Sequence, residues 1–302
     1  MKRTVRLLAT NGQGYFEEVM WDKPEITDRQ IEVKAVLTGI CRSDIDMMNG
    51  EFGPLPLGMQ GHEGLGCVTA VGSKITDVNV GDFVATRGEP AFADYYNVRA
   101  EEYIKVPAAS PEFILEPLAC GINVVKQELE LFNGMDKDVL IRGSGFLAWV
   151  AYRTIRQYNP GLHIDVVGSS NGLIWVDEMV ELKARPAGEY DIVIDLKEDG
   201  AMLDGDHIKA GGTLILAAVK KPAVTLTFEN LLWKAIRIVM PSPRHKNFGI
   251  SMISAGVFAL YNSEVLQKFW TREYDRDTEW QQAFADGQSR NQGYSRGYIR
   301  WR

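Results

Sequence analysis

The chain has 302 residues, which is enough for two domains that each bury a hydrophobic core. Its content of 45% hydrophobic and 24% charged residues is typical of a globular enzyme. The formal net charge is −7, from 33 basic and 40 acidic residues, and this argues against a nucleic-acid partner, which requires a concentrated basic face.

The three cysteines are widely spaced, and their odd number argues against a disulfide framework. Such cysteine usage indicates a reducing compartment. The start of the chain, Met1–Leu8, lacks the apolar run of a signal peptide, and no segment reads as a membrane span. We therefore expect a cytoplasmic protein without a membrane partner.

The first part of the chain, up to about residue 115, reads as strands separated by turns. Thr4–Ala9, Ile31–Leu37 and Gly66–Gly72 are rich in β-branched residues or alternate between apolar and polar ones. Gly81-Asp82 predicts a turn that leads into the strand Phe83–Ala85. This pattern predicts a β-rich, barrel-like domain.

The pattern changes after Pro117, where helices begin to alternate with short apolar strands. The predicted helices cover Ala119–Leu131 and Ala148–Tyr158. The predicted strands are Val139–Ile141, His163–Val167, Asp191–Asp195 and Thr213–Ala217. Strands that alternate with helices predict an α/β domain with a parallel sheet covered on both faces.

A thiol, an imidazole and several carboxylates form a candidate metal site. Cys41 is followed by His62 and Glu63, which stand between glycines. Zinc binds these side chains, and a catalytic zinc takes three protein ligands and leaves one position open. We predict Cys41 and His62 as two ligands, while the third remains open among Glu63, Glu116 and Cys120.

A glycine-rich turn follows the strand Val139–Ile141. Gly143 and Gly145 would let the backbone approach a pyrophosphate at the start of the next helix, and Phe146 and Leu147, which follow Gly145, are further candidate cofactor-binding residues. Ala148 stands where the third glycine of such a turn usually lies. With a strand before it and a helix after it, this turn predicts a dinucleotide site.

The residues after the next predicted strand bear on the choice of cofactor. An acid at this strand end would bind the ribose hydroxyls of NAD. Here Val167 is followed by Gly168, Ser169 and Ser170, so the acid is missing and a 2′-phosphate has room. This favours NADP over NAD, whereas Asp165 would favour NAD if the strand ended earlier.

These motifs, in this order, resemble those of the zinc-dependent medium-chain alcohol and polyol dehydrogenases. The matching segments are Gly39–Asp44, Gly61–Gly66 with Gly72, Val80–Val84, Glu116–Cys120, the turn at Gly143, and Gly211–Thr213. The resemblance implies a β-rich GroES-like catalytic domain of residues 1–118 and 253–302. It also implies a Rossmann domain of residues 119–252.

The resemblance implies reversible hydride transfer between an alcohol and a nicotinamide cofactor, with one catalytic zinc. The glutamate of the Glu-Pro-Leu segment favours Glu116 as third ligand and a polyol or sugar alcohol as substrate. Glu63 would then exchange or support the site, while yeast-type relatives instead use a cysteine near Cys120. The same resemblance makes Asp44 the carboxylate that orients the ligand histidine.

The resemblance also suggests a route for the proton of the substrate hydroxyl. Ser43 would receive this proton, and Asp46 stands where many relatives continue the relay with a histidine. A carboxylate can also carry a proton, so both residues are candidate catalytic residues.

Two departures from the family pattern lead to further expectations. The lobe that holds a second, structural zinc is absent after Val84, so at most one zinc is expected. Between Val167 and Asp191 there is room for one helix-sized segment, Leu173–Lys183, so we expect a shortened Rossmann sheet with fewer than six strands. Two alternatives are a zinc-free quinone or enoyl reductase-like enzyme and a non-catalytic nucleotide-binding protein, and a homodimer is possible.

Overall fold

A computed structural model describes most of the chain. The described residues are 3–134, 136–168, 182–219, 221, 228–242, 248–291 and 293–302. They form two compact units, which consist of residues 1–119 with 249–302, and of residues 120–248. From the sequence we expected the first domain to end at residue 118 and to resume at residue 253.

The first unit is built on an antiparallel sheet with one short parallel pair. A separate hairpin joins β1 (Arg3–Ala9) and β2 (Glu17–Lys23). The strands of the main sheet are β3 (Gln30–Gly39), β4 (Gly64–Val71), β5 (Phe83–Thr86), β6 (Tyr95–Arg99), β7 (Tyr103–Val106), β14 (Trp270–Asp275) and β15 (Arg296–Arg300). Their order is β14-β15-β3-β4-β5-β7, and β6 also pairs with β3.

The core of this unit follows from the alternation within β3. Ile31, Val33, Ala35 and Leu37 are at most 2% exposed, and the residues between them are partly exposed. Side chains of a strand point alternately to opposite faces, so every second residue enters the core. The β-rich first domain is confirmed.

Two short helices of this unit lie against each other. They are α1 (Arg42–Met48) and α6 (Trp280–Ser289). Gly287 of α6 faces the side chains of Ile40 and Ile45, each 3.3 Å from the point where a Cβ would lie. Since a side chain at 287 would meet both of them, glycine allows α6 to come this close to α1.

The second unit is a parallel sheet. Its strands are β8 (Asp138–Arg142), β9 (His163–Val167), β10 (Leu182–Lys183), β11 (Tyr190–Asp195), β12 (Ile208–Leu216) and β13 (Arg237–Val239), in the order β10-β9-β8-β11-β12-β13. The helices with described residues here are α3 (Phe146–Tyr158) and α4 (Phe228–Trp233), and α2 (Glu116–Lys126) leads into the unit. Near-continuous apolar runs such as that of β11 are typical of strands buried on both faces. The Rossmann architecture is confirmed.

The expectation of fewer than six strands is wrong, because the described residues already supply six. The sequence did not reveal two of these strands, β10, which has two residues and pairs with the end of β9, and β13, which has three residues and pairs with β12. Strands this short have no readable alternation, so no sequence pattern could predict them. The expected helical segment Leu173–Lys183 lies outside the described residues apart from its last two.

The shortening instead affects the connection between β10 and β11. Residues 184–189 make this connection, whereas parallel strands usually need a crossover of about a dozen residues or more. Beside this connection a buried carboxylate, Asp165, accepts hydrogen bonds from Lys183 Nζ and Tyr190 Oη, both at 2.7 Å. These polar contacts join β9 to the end of β10 and to the start of β11.

The helix α5 (Phe248–Phe269) is the longest of the described helices, with 22 residues. An 18-residue window of α5 has a mean hydropathy of 1.2, so by length and composition alone it could cross a membrane. The sequence-based expectation that no segment has this property is therefore wrong. One such helix is weak support for a membrane span, because core helices of other proteins share these features.

Candidate metal centre and nucleotide turn

Cys41 is the N-cap residue of α1. Its backbone N–H donates to Asp44 Oδ2 at 2.8 Å, which satisfies one of the donors at the start of the helix. The thiol is half-buried, and the Asp44 side chain is completely buried. The helix start therefore fixes both the thiol and the carboxylate beside it.

His62 lies between this carboxylate and a hydroxyl group. Its Nδ1 atom is 3.5 Å from Asp44 Oδ1, and its Nε2 atom is 3.4 Å from Ser43 Oγ. The side chain is 1% exposed. The preceding residue, Gly61, has φ +77°, and a Cβ there would lie 2.7 Å from Phe92 N, so glycine is required to bring His62 to this place.

Cys41, His62 and Glu63 form a group of possible metal ligands, because one ligand atom from each lies within 4.8 Å of the others. A thiolate, an imidazole and a carboxylate are the donors that zinc takes in proteins. The His62 ring also has a carboxylate, Asp44, on the side away from Ser43, as ligand histidines usually do. The residues present therefore fit a zinc ion.

The electrostatic field at His62 favours a cation. Burial by itself lowers the pKa of His62, but the charges of Asp44 and Glu116 and the thiol of Cys41 raise it to about 10. The surroundings thus hold an excess of negative charge around a buried imidazole. A divalent cation bound beside His62 would be stabilised by the same charges.

Glu63 is already paired with a cation. Arg296 Nη2 donates to both carboxylate oxygens of Glu63, at 2.6 Å to Oε1 and closer to Oε2. The Glu63 side chain is 0% exposed, and the guanidinium also lies over the Trp270 ring, 4.8 Å from its centroid. The charge of Glu63 is therefore largely neutralised by Arg296.

The other two candidates for the third ligand lie on one helix. α2 begins at Glu116, so Glu116 and Cys120 stand four positions apart on it. Glu116 is 2% exposed and belongs to the first unit, as do Cys41 and His62. Cys120 is half-buried and is the first residue of the second unit.

Asp46, the candidate second member of the proton relay, is paired with Arg42. Arg42 Nε lies 3.2 Å from Asp46 Oδ1, and the Asp46 residue is 8% exposed. Sequence reasoning missed Arg42 and Arg296 as parts of this region. The signal for Arg42 was its position directly after Cys41, whereas nothing near Arg296 in the sequence pointed to Glu63.

The predicted nucleotide turn connects β8 to α3. Gly143 has φ +138°, and its N–H donates to Val167 O at 2.7 Å. Gly145 is the N-cap of α3, and nothing lies within 4 Å of the point where its Cβ would be. This open backbone at the start of a helix with 13 residues fits a pyrophosphate group.

The other predicted cofactor residues lie on both sides of this turn. Phe146 is 5% exposed and Leu147 is 37% exposed. Gly168 directly follows the last residue of β9, while Asp165 lies in the middle of that strand, opposite Leu140. The register with Gly168 at the strand end is therefore correct, and Ser169 and Ser170 lie outside the described residues.

Comparison with known proteins shows which families and relatives this chain resembles. Residues 27–108 match the family described as the alcohol dehydrogenase GroES-like domain. D-arabinitol dehydrogenase 1 of Uromyces fabae is 23% identical over 274 residues, which cover 70% of this chain and 74% of that enzyme. D-arabitol-phosphate dehydrogenase of Enterococcus avium is 36% identical over 180 residues, which cover 48% of this chain and about half, 51%, of that enzyme.

Solved structures share the fold over nearly the whole chain. An alcohol dehydrogenase (rspB) from E. coli CFT073, in complex with NADH, has a TM-score of 0.80, 14% identity and 99% coverage of both chains. TarJ of S. aureus, in complex with NADPH, has a TM-score of 0.79 and 16% identity, and covers 99% of this chain and 100% of that one. At these identities the likeness shows the fold.

The matched GroES-like domain, and relatives named as alcohol and polyol dehydrogenases, support the family of zinc-dependent medium-chain alcohol dehydrogenases for this chain. It is accordingly an oxidoreductase of the class that uses a nicotinamide cofactor.

Proposed function

We propose that this chain is a zinc-assisted polyol or sugar-alcohol dehydrogenase that prefers NADP. The observation that carries the proposal is the group of Cys41, His62 and Glu63, with Ser43 against the imidazole. The polyol and polyol-phosphate relatives support the substrate class. A bound zinc would polarise the substrate oxygen, and a bound nicotinamide would accept or supply the hydride.

The residues of the chain would hold the metal and move the proton. Cys41 and His62 are the proposed zinc ligands, and Glu116 is the proposed third ligand. Glu63 is the weaker candidate because Arg296 already neutralises its carboxylate. Asp44 would hold the imidazole in orientation from the far side of the ring, since its carboxylate is buried beside Nδ1.

Ser43 is proposed to take the proton from the substrate hydroxyl. Its hydroxyl lies on the Nε2 side of His62, which is the side that faces the proposed metal. Asp46 would accept the proton next, although its carboxylate is already paired with Arg42. We therefore propose Ser43 as the principal proton carrier and Asp46 as a secondary one.

The preference for NADP is proposed from the missing acid after β9. Gly168 stands where a carboxylate would bind ribose hydroxyls and repel a 2′-phosphate. NADP(H) is bound in some structures of the same fold and NADH in another, so the fold itself accommodates both cofactors. We also expect a cytoplasmic protein, consistent with three cysteines that form no disulfide.

The proposal is tested by a screen of alcohols, polyols and polyol phosphates with NADP and NAD on zinc-loaded protein. We expect reduction of NADP with at least one polyol. Zinc-loaded, folded protein that binds cofactor but oxidises none of these substrates would instead favour the non-catalytic alternative.

A further inference from the structure

The end of β9 and the glycine turn after β8 are in direct contact. The N–H of Gly143 donates to the carbonyl of Val167 at 2.7 Å, which fixes the turn against the strand end. Ser144, the next residue of the turn, is then placed against Gly168. Ser144 is 5% exposed, so its side chain is enclosed at this position.

This contact leaves no space for a side chain at position 168. A Cβ at that position would collide with the Oγ and Cβ atoms of Ser144, and it would lie 3.0 Å from the backbone nitrogen of Ser144. The Cβ of Ser144 is fixed by the backbone and cannot move away by rotation about χ1. The carboxylate that reads the ribose hydroxyls of NAD needs a side chain at this strand end.

We propose that Ser144 is a specificity-determining residue, because its side chain excludes any side chain from position 168 and so keeps a carboxylate away from the 2′ position of the cofactor. This inference rests on the proposed preference for NADP. It goes further than that proposal because it assigns the choice between NADP and NAD to Ser144 in the glycine turn as well as to Gly168 at the strand end. A cofactor switch would therefore require two substitutions, at 144 and at 168.

The steric role of Ser144 can be separated from a role of its hydroxyl. Ser144→Ala removes the hydroxyl but keeps the Cβ atom that blocks position 168. Ser144→Gly removes both, and the next nearest atom is then the backbone nitrogen at 3.0 Å, a distance that a small shift can relieve. The alanine variant is therefore the matched control for the glycine variant.

The experiment measures the binding of 2′,5′-ADP and ADP to the purified chain by calorimetry, without zinc loading or turnover. We expect Gly168→Asp alone to weaken both ligands by about tenfold or more, since a collision distorts the turn. Ser144→Gly with Gly168→Asp should bind ADP about tenfold more tightly than 2′,5′-ADP, as charge repulsion predicts. Ser144→Ala with Gly168→Asp should behave like Gly168→Asp alone.

A second measurement keeps the test valid if the aspartate variants do not fold. Gly168→Ala should lower the melting temperature in the wild-type background, and Ser144→Gly should recover most of this loss while Ser144→Ala should not. If Ser144→Gly does not recover the melting temperature lost in Gly168→Ala, the proposed steric contact between positions 144 and 168 is wrong.

The proposed role of Ser144 would also be wrong if Gly168→Asp alone bound ADP more tightly than 2′,5′-ADP while being as stable as the wild type. By contrast, tighter binding of ADP than of 2′,5′-ADP by the wild-type chain would refute the proposed NADP preference. The melting-temperature comparison would still test the contact in that case.

Discussion

At the scale of single residues, two thiols of the first unit differ in their surroundings. Cys41 lies beside an imidazole and a carboxylate, whereas Cys67, in the middle of β4, has its Sγ atom 3.8 Å from the Val68 carbonyl. Both side chains are half-buried. The two thiols are therefore buried to a similar degree, but of the two only Cys41 belongs to the group of possible metal ligands.

We expect Cys41→Ser to abolish zinc binding and nearly all dehydrogenase activity, because a serine hydroxyl is a poor zinc ligand at neutral pH. The matched control, Cys67→Ser, should keep its zinc. Elemental analysis and circular dichroism on both variants check this. Equal zinc in the two variants would show that Cys41 is not a ligand.

Glu116 and Cys120 make a second pair, four positions apart on α2. We expect Glu116→Ala to lose zinc and Cys120→Ala to retain it, because the buried Glu116 charge acts on His62. Zinc retained per chain after dialysis against a weak chelator is the measurement. Loss of metal from Cys120→Ala alone would reverse the assignment.

The buried pair of Glu63 and Arg296 leads to a prediction about stability. Arg296→Gln leaves a completely buried carboxylate without its cation, which should lower the free energy of unfolding by about 3–5 kcal/mol. Adding Glu63→Gln should recover most of this loss, because the unpaired charge is then removed. Urea unfolding of the single and double variants measures both effects.

The control for this pair is Arg300, whose salt bridge to Glu273 has both side chains 44% exposed. Arg300→Gln should change the free energy of unfolding by about 0–1 kcal/mol. If Arg296→Gln lowers the free energy of unfolding no more than Arg300→Gln does, the prediction is wrong. Glu63 in the Arg296→Gln variant would then not be a buried charge without a partner.

At the scale of secondary-structure elements, β9, β10 and β11 are joined through one carboxylate. Burial tends to raise the pKa of Asp165, but the hydrogen bonds from Lys183 and Tyr190 outweigh it and hold the pKa below its ordinary value of 3.8. A lowered pKa in the folded state means that the carboxylate contributes stability above about pH 4 and loses it as the pH falls further.

We expect Asp165→Asn to lower the stability of the chain by about 1–3 kcal/mol at pH 7, because the buried Tyr190 hydroxyl and the partly exposed Lys183 ammonium lose a charged acceptor. The difference from the wild type should shrink when unfolding is measured at about pH 3. Asp138→Asn is the control, since Asp138 has a side chain that is 41% exposed, and it should have the smaller effect. A difference for Asp165→Asn that does not depend on pH would contradict the ionic role of Asp165.

At the scale of the whole molecule, the described residues contain one candidate zinc site, and the sequence has too few cysteines for a second site of the four-thiolate kind. The sequence contains three cysteines, and Cys41 is already a candidate ligand of the first site. We therefore expect close to one zinc per chain in protein purified with zinc in the medium. Mass spectrometry under native conditions or elemental analysis would reveal a second ion, which would contradict this prediction.

The sequence alone determined the class of the two folding units and the position of the motifs within them. The alternation in β3 and the apolar run of β11 are local patterns, and they fix which faces are buried. The glycine turn at Gly143 was readable because positive φ and close backbone approach require glycine. Cys41 and His62 could be predicted as candidate ligands because zinc chemistry restricts its ligands to few residue types.

Only the tertiary structure decided how distant residues meet. It paired Glu63 with Arg296, which is 233 positions away, and it placed Ser144 against Gly168. It also showed β10, a strand too short to carry a pattern, and the hydrogen bonds from Lys183 and Tyr190 to Asp165. Such contacts depend on the packing of the folded chain rather than on neighbours in sequence, so no local pattern encodes them.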